Sequence, residues 1–318
     1  MPYKHREKQR HKFTKAKYRV TNWPEYNEAL RQRGDITIWF SDDAIDNWIE
    51  PAESYSGRGR PKTYSDVAIQ TALFIRQVYT LPLRQTQGLL RSLTKLMELS
   101  IPIMDFSTLS KRSDHLEMIK LIDQVQPGSH VIVDSSGLKV YGRGEWQQEK
   151  YEILAKRTWR KLHIAIDEKH QIIACELTDN TEGDPTVVPE LLSQLDDFEK
   201  FIADGAYDGM PTYDAVLSKQ ANADVVIPPS KNALEHEGND MRNAHIKMIN
   251  DHGRTNWQKS TEYVLRALVE LAIQRYKRII GGTLKARGFR QQKTEAQASV
   301  RALNKMTQLG MPISVKIA

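Results

Sequence analysis

The sequence has a single cysteine, Cys175, so no disulfide can form within its 318 residues. Cys175 lies in the apolar segment QIIACEL, which predicts a small buried side chain. A chain without disulfides fits a reducing compartment, and we expect the protein to be cytoplasmic. No apolar run approaches about 18 residues and no apolar segment follows the N-terminal charges, so we expect neither a membrane span nor a signal peptide.

The sequence also lacks the motifs of two enzyme classes. It has no HExxH segment, and Cys175 has no second cysteine with which to bind zinc. Nothing in it fits a nucleophilic triad. Carboxylates are therefore the main candidates for chemistry.

Acidic residues are scarce in two stretches, and both stretches are basic. The first 20 residues hold eight Lys or Arg and one acid, Glu7; removing them from the totals of 46 basic and 40 acidic residues leaves 38 and 39. Residues 271–294 hold seven Lys or Arg and no acid. Because phosphate neutralisation dominates non-specific binding to nucleic acid, the two blocks indicate a nucleic-acid partner, with solubility or a solvated face as the alternative.

A linker divides the chain. The segment SYSGRGRPKTYS has linker composition, with Gly57, Gly59 and Pro61, and we place a boundary there. A basic arm and a small N-terminal segment precede it at 1–60. Residues 61–126 are predicted to be helical, and 127–318 to form an α/β domain.

Three short helices are predicted in 61–126. Ser65 is expected to cap the first, Pro82 to open the second and Ser107 to cap the third. Lys111 and Arg112 would lie early in the third helix, as in a helix-turn-helix unit whose last helix enters the major groove of DNA. The connection before that helix is longer than the tight turn of the motif, so a purely structural helical region is the alternative.

Apolar patterns predict a mixed sheet in 127–318. HVIVD is a short strand that ends at Asp134, RKLHIAID and QIIACELT form an antiparallel pair, and KFIADG is a fourth strand that ends at Asp204. In this order the first and fourth strands are expected to be neighbours, which places Asp134 beside Asp204 at one rim. Either aspartate alone is also a common turn residue.

The segment 261–282 is predicted to be an amphipathic helix. Tyr263, Arg266, Glu270 and Lys277 fall on one face, within an arc of about 60° at about 100° per residue, and most apolar residues lie opposite. Taken alone, Arg266 and Glu270 form an ordinary exposed i,i+4 ion pair.

Glu270 gains a second interpretation from the two aspartates. With Asp134 and Asp204 it would complete a set of oxygen ligands suited to Mg²⁺. Two such ions about 3.5 to 4 Å apart stabilise the attacking and leaving oxygens of an in-line phosphoryl transfer.

Four ordered blocks give the chain a family resemblance. They are VIVDSSGLKVYGRGEW, RTWRKLHIAID, FIADGAYDG and the spaced residues Tyr263, Arg266, Glu270 and Lys277. The chain resembles the DDE transposases of bacterial insertion sequences, specifically the family numbered five, and VRALNKMTQLGMP is also similar to that group. The resemblance implies an α/β fold in which an RNase H-like mixed sheet, flanked by helices, forms the catalytic domain over 127–318.

The resemblance also implies roles for individual residues. Asp134, Asp204 and Glu270 would be the catalytic, metal-binding triad, with two Mg²⁺ ions expected and Mn²⁺ as a substitute. The residues that would contact DNA are Tyr263, Arg266 and Lys277 beside the triad and Trp159, Arg160 and Lys161 in the first hairpin.

By the same resemblance the protein would bind the terminal inverted repeats of its element as double-stranded DNA, cleave the ends and transfer the 3′-OH ends to target DNA. Bridging two ends requires two active sites, so a homodimer is expected on DNA. The chain has Leu265, Ala267 and Leu271 where members often have basic and hydroxyl residues. A weak or inactive DNA-binding regulator derived from a transposase is therefore the alternative, and an RNase H-like nuclease without strand transfer is a third hypothesis.

Overall fold

The computed structural model of the protein describes residues 17–51, 62–116, 129–140 and 159–317. Most of the predicted basic arm and the linker glycines lie outside these residues. The chain divides into two units, one formed by 1–38 with 305–318 and the other by 39–304. Within the described ranges, every helix is too short or too polar to span a bilayer.

The first unit joins segments from opposite ends of the sequence. Strand β1 (Lys17–Val20) pairs antiparallel with β8 (Ser314–Ile317), with Lys17 opposite Ile317. Helix α1 (Trp23–Gln32) follows β1. The strand at the C-terminal side was not predicted from the sequence.

Five helices follow α1: two lie before residue 61, and three lie in 61–126, the region predicted to be helical. Ser65 caps α4 as predicted, because its Oγ accepts a hydrogen bond from the Ala68 N–H at 3.1 Å. These helices are α2 (Ile36–Trp39), α3 (Asp42–Asp46), α4 (Asp66–Val78), α5 (Leu83–Leu96) and α6 (Phe106–Arg112).

Helix α6 begins and ends differently from the prediction. Its cap is Asp105 rather than Ser107, since the Asp105 carboxylate accepts from the Ser107 N–H at 2.8 Å. The helix is seven residues long, so Lys111 and Arg112 lie in its last turn and not early in it.

A mixed sheet organises the second unit, as predicted. Its strand order is β4-β3-β2-β5-β6, with β7 paired to the far end of β2. The β2-β3 and β3-β4 pairs are antiparallel, whereas β2-β5 and β5-β6 are parallel. The strands are β2 (His130–Val140), β3 (Trp159–Ile166), β4 (Ile172–Asp179), β5 (Lys200–Ile202), β6 (Asp224–Val226) and β7 (Thr283–Leu284).

The predicted neighbours, β2 and β5, are adjacent in the sheet. Ile132 pairs with Ile202, and Asp134 and Asp204 each lie two residues beyond this pair along the chain. The sequence predicted a strand that ends at Asp134 and a chain that is extended again after Gly137; the end at Asp134 was wrong, and the extended continuation is confirmed. β2 continues through Asp134 to Val140, because β3 pairs with that whole stretch.

The two faces of the sheet carry two separate hydrophobic clusters. Side chains alternate along β2, so Val131 and Val133 belong to one cluster and Ile132 to the other. Helices α7 (Val188–Ser193) and α8 (Met210–Lys219) cover the first face. After α9 (Asp240–His252) and α10 (Arg254–Ser260), helices α11 (Ala267–Ile279) and α12 (Phe289–Leu309) cover the second.

Cys175 is buried in the second cluster, as predicted. Burial raises the pKa of its thiol to about 12, so the thiol stays protonated at neutral pH. It behaves as a small apolar side chain of β4.

Candidate active site

Three elements bring the predicted carboxylates to one face of the sheet. Asp134 continues the alternation of Ile132 in β2, and Asp204 follows β5 in the same register. Asp204 also caps a 3-10 turn at 205–207, accepting from the Ala206 N–H at 2.9 Å. Glu270 lies in the first turn of α11, the helix that covers this face.

The guanidinium of Arg266 lies among these three carboxylates. Its nitrogens are 2.6 Å from a Glu270 oxygen, 3.2 Å from an Asp134 oxygen and 3.8 Å from an Asp204 oxygen. The i,i+4 pair of Arg266 with Glu270 is therefore present, but it is part of a four-residue cluster and not a separate surface pair. The structure brings these four predicted residues together, and the central position of Arg266 was not predicted from the sequence.

The electrostatics of the cluster favour a cation. Burial raises the pKa of Asp134 to about 6, the nearby Arg266 lowers it, and the negative charges of Asp204 and Glu270 raise it further. The Ser135 N–H donates to the Asp134 carboxylate at 2.8 Å. One guanidinium faces three carboxylates, so when all three are ionised the cluster keeps negative charge for a further cation to neutralise.

The donor set fits a hard divalent metal ion in its chemistry. All three side chains offer carboxylate oxygens, which Mg²⁺ and Mn²⁺ prefer. Among the residues that the structure describes, no three acidic, histidine or cysteine side chains are grouped closely enough to hold a metal ion as they stand. Arg266 supplies the cation in the arrangement described here.

Arg266 is mounted on a 3-10 turn, Tyr263–Arg266, and not on the predicted continuous helix. Glu262, which precedes the turn, has a left-handed backbone with φ of +59°, and this breaks the helix before Tyr263. The Lys200 ammonium holds Glu262 at 2.6 Å and Asp224 at 3.5 Å. Ion pairs from β5 and β6 thus anchor the turn that carries Arg266.

Tyr263 belongs to the same support. Its ring lies 5.1 Å from that of buried Trp257, whose indole N–H donates to His245 at 2.9 Å. The other ring nitrogen of His245 lies 2.8 Å from the Val225 carbonyl of β6. Burial raises the pKa of Tyr263 to about 12, so its hydroxyl is a neutral hydrogen-bonding group at physiological pH.

The other residues predicted to contact DNA differ in their freedom to do so. Lys277 and Lys111 are exposed, and Trp159 is 36% exposed. Arg160 pairs with Asp179 and also donates to Gln292 at 3.0 Å. Lys161 and Arg112 are likewise held by protein partners.

Arg112 fixes the start of α4, because it donates to the Tyr64 carbonyl at 2.8 Å and pairs with Asp66. Lys161 donates to Asp184 at 2.9 Å and to the Glu182 carbonyl at 2.9 Å. For these cations, contact with DNA would require the loss of an internal partner.

A second polar cluster lies on the opposite face of the sheet, directly behind Asp134, and was missed from the sequence. Ser135 donates to Asp184 at 3.1 Å, and Lys161 holds the same carboxylate. His163 lies opposite Ser135 in β3 and is fully buried, with Nδ1 3.7 Å from Asp184. The hydroxyl of buried Tyr207 is nearby, and burial raises its pKa.

Pro185 follows Asp184, a local pattern typical of a helix N-cap. Asp184 does precede a 3-10 turn at 185–187, but its carboxylate makes no capping hydrogen bond. The alternation of Lys161 and His163 in RKLHIAID was the available signal for a polar patch on one face. The register that places Ser135 beside them could not be read from sequence.

Comparison with known proteins gives two family matches. Two family profiles, both described as transposase DDE domain, match residues 31–143 and 126–305. The second spans more than half of the 318 residues. Among solved structures, the Drosophila P element transposase strand transfer complex is similar at 12% identity with a TM-score of 0.31, over 63% of this chain and 48% of that chain. The chain thus spans about half the length of that relative.

Proposed function

This chain belongs to the family of transposase DDE domains, and from that premise we propose that it is the transposase of a bacterial insertion sequence of the family numbered five. It would bind the terminal inverted repeats of its element, hydrolyse a phosphodiester at each end and transfer the 3′-OH ends to target DNA. The observation that carries the proposal is the gathering of Asp134, Asp204 and Glu270 around one cation.

The three carboxylates are the groups that would hold the metal. DDE transposase domains generally use divalent metal ions; a pair of Mg²⁺ ions, or Mn²⁺ in their place, would supply a Lewis acid for both phosphoryl transfers here. The β2-β5 register fixes Asp134 beside Asp204, and the hydrophobic contacts of α11 fix Glu270 against the same face. Arg266 neutralises the carboxylates in the metal-free protein and would turn to a DNA phosphate when they bind metal.

The contacts with DNA are part of the proposal. Lys277 and Tyr263 would hold the backbone beside the triad, with Lys111 and Trp159 exposed for further contacts. Arg160, Lys161 and Arg112 would contribute by exchanging their internal partners. Two such chains would act together on paired ends as a homodimer.

The architecture assigned to this function also remains a proposal. We propose that residues 1–60 form a basic arm and a small segment, 61–126 a helix-turn-helix-like DNA-binding region, and 127–318 an RNase H-like catalytic domain. The mixed sheet supports the last of these. A cytoplasmic location follows from access to chromosomal DNA.

The test is the variant Asp204→Ala, assayed on DNA that carries the gene with its flanking sequence. We expect strand cleavage at the element ends to vanish in Mg²⁺ while binding of end DNA persists. Asp197→Ala, which removes an exposed carboxylate from the connection before β5, is the matched control and should cleave normally. Cleavage retained by Asp204→Ala would overturn the assignment, and end binding without cleavage by the unaltered protein would favour a regulator.

A further inference from the structure

A basic pocket lies away from the carboxylates, in the second unit. It has a volume of about 480 Å³ and is formed by α4, α5, α6 and the segment from β7 into α12. Four cationic side chains line it: Arg76, Arg84, Lys285 and Arg287. Two of them come from the helical region and two from the acid-free block 271–294.

The pocket lining contains one carboxylate, and backbone hydrogen bonds hold it in place. Glu295 is 5% exposed, and its oxygens accept from the backbone N–H of Lys285 at 3.0 and 3.1 Å and from that of Ala286 at 2.7 Å. These hydrogen bonds fix the backbone beside β7. Glu295 can balance only one of the four positive charges, so most of the charge of the four cations stays unbalanced.

Arg76 is the buried cation of the pocket. It is 8% exposed, and its buried Nε has no hydrogen-bond partner. A buried cation without a counter-ion is costly in free energy, because it has lost its hydration without gaining a partner. Among the described residues no carboxylate forms an ion pair with Arg76, Arg84 or Arg287.

The other cations are arranged around the opening. The Arg84 guanidinium lies 4.3 Å from the centre of the Phe106 ring, which holds it in place. The Lys285 ammonium donates to the Thr80 carbonyl at 3.0 Å. Burial lowers the pKa of Lys285, the positive charge of Arg76 lowers it further, and the Glu295 carboxylate raises it. Arg84, Lys285 and Arg287 are exposed at the rim.

We propose that this pocket binds the sugar-phosphate backbone of duplex DNA, with a phosphate seated among Arg76, Arg84, Lys285 and Arg287. Guanidinium groups offer several N–H donors in a plane and match phosphate oxygens better than any other side chain. A DNA backbone that passes over the opening and places one phosphate inside would contact both the buried cation and those at the rim. The choice of DNA as the source of the phosphate rests on the proposed function.

The strand pairing places this contact at a definite distance from the carboxylates. Leu284 pairs with Val140, six residues beyond Asp134 along β2. At about 3.3 Å per residue, Lys285 is about 20 Å from Asp134 along the sheet. A duplex that runs parallel to β2 would span this distance with about six base pairs, at about 3.4 Å per base pair.

The test compares two double variants of the full chain. Arg84→Gln with Arg287→Gln removes the two exposed arginines of the pocket, and Lys219→Gln with Lys259→Gln removes two exposed cations that lie outside the pocket, the block 271–294 and the helical region 61–126. Binding of a fluorescein-labelled duplex from the end of the element is measured by anisotropy from about 50 to 200 mM salt. The pocket variant should lose about tenfold in affinity, and its salt slope should become shallower by about 0.9 for one lost phosphate contact. The control should keep both values within about twofold.

Equal losses in the two double variants would overturn the proposal, since the pocket cations would then act as ordinary surface charge. Calorimetry with inorganic phosphate and pyrophosphate separates the sources of the anion. Tight binding of either ion that depends on Arg84 and Arg287, with unchanged DNA binding, would make this a site for a free anion and would also overturn it. Cleavage of element ends by the unaltered protein tells the two proposals apart, because it persists if only the pocket assignment is wrong.

Discussion

The protein contains two sites whose charges are unbalanced in opposite directions. At the first, three carboxylates surround one guanidinium. The lining of the second contains four cations and one carboxylate, which accepts three backbone hydrogen bonds. A folded chain rarely leaves buried charge uncompensated, so each imbalance indicates a ligand of the missing sign. The comparison teaches that one chain can prepare separate places for a cation and for a polyanion.

The two sites also differ in how their central arginines, Arg266 and Arg76, are partnered. Arg266 is held by acids on two strands and a helix, whereas Arg76 has no acid. Removing the two arginines should therefore have opposite effects on the ligand-free protein.

Arg266→Gln should destabilise the metal-free protein by about 2 to 3 kcal/mol, because it leaves three carboxylates without a counter-charge. Melting temperatures in EDTA and in excess Mg²⁺ measure this, and Mg²⁺ should stabilise the variant more than the parent. Lys277→Gln, at an exposed cation of α11, is the control and should leave both melting temperatures unchanged. Equal stability of Arg266→Gln and the parent in EDTA would contradict the view that Arg266 is the counter-charge.

Arg76→Met should leave the DNA-free protein as stable as the parent, or more stable by about 1 kcal/mol. An apolar side chain of similar length removes a buried charge that has no partner. Chemical denaturation measures the change, and Arg91→Met at the surface of α5 should shift stability by less than about 0.5 kcal/mol. A loss of several kcal/mol in Arg76→Met would show that the guanidinium is already well partnered and that the two sites do not differ as described.

A third region, the cluster behind Asp134, sharpens the comparison because its charges are matched. Lys161 and Asp184 neutralise each other, and burial lowers the pKa of His163 to about 4, with Asp184 raising it and Lys161 lowering it. His163 is thus neutral at pH 7 in the folded protein, whereas its pKa in the unfolded chain is about 6.5.

The lowered pKa of His163 makes the stability of the folded protein depend on pH. Between about pH 6.5 and 4 the unfolded chain binds a proton at His163 that the folded protein does not, so stability falls as pH falls, by up to about 1.4 kcal/mol per pH unit. His163→Gln should flatten the plot of unfolding free energy against pH over this range. His252→Gln, at an exposed histidine, should not change it. An unchanged plot for His163→Gln would mean that His163 is protonated in the folded state.

Much of the acidic site could be predicted because its signals are local. Alternation in HVIVD and KFIAD placed Asp134 and Asp204 in register on neighbouring strands, and helical spacing placed Arg266 beside Glu270. The predicted helix failed at Glu262, whose left-handed backbone is held by Lys200 from another strand. No local pattern reveals such a long-range ion pair.

The basic pocket and the cluster behind Asp134 could not be predicted for the same reason. Arg76 and Arg84 are about 200 residues from Lys285 and Arg287 in sequence, and only tertiary packing brings them together. Pro185 is a local signal for a helix start at Asp184, whereas the partners of the Asp184 side chain, Ser135 and Lys161, lie in two strands. Local rules identify elements, and contacts between distant elements decide the use of each charged side chain.

The pairing of β1 with β8 has a consequence for how the chain is made. Lys17 and Ile317 are 300 positions apart, so the ribbon that they form has no local nucleus. Closing so long a loop is slow and entropically unfavourable until the residues between have folded and shortened it. On a ribosome residues 17–20 would stay unpaired until residues 314–317 had emerged. The part of the chain that follows the basic arm would therefore be among the last to reach its final structure.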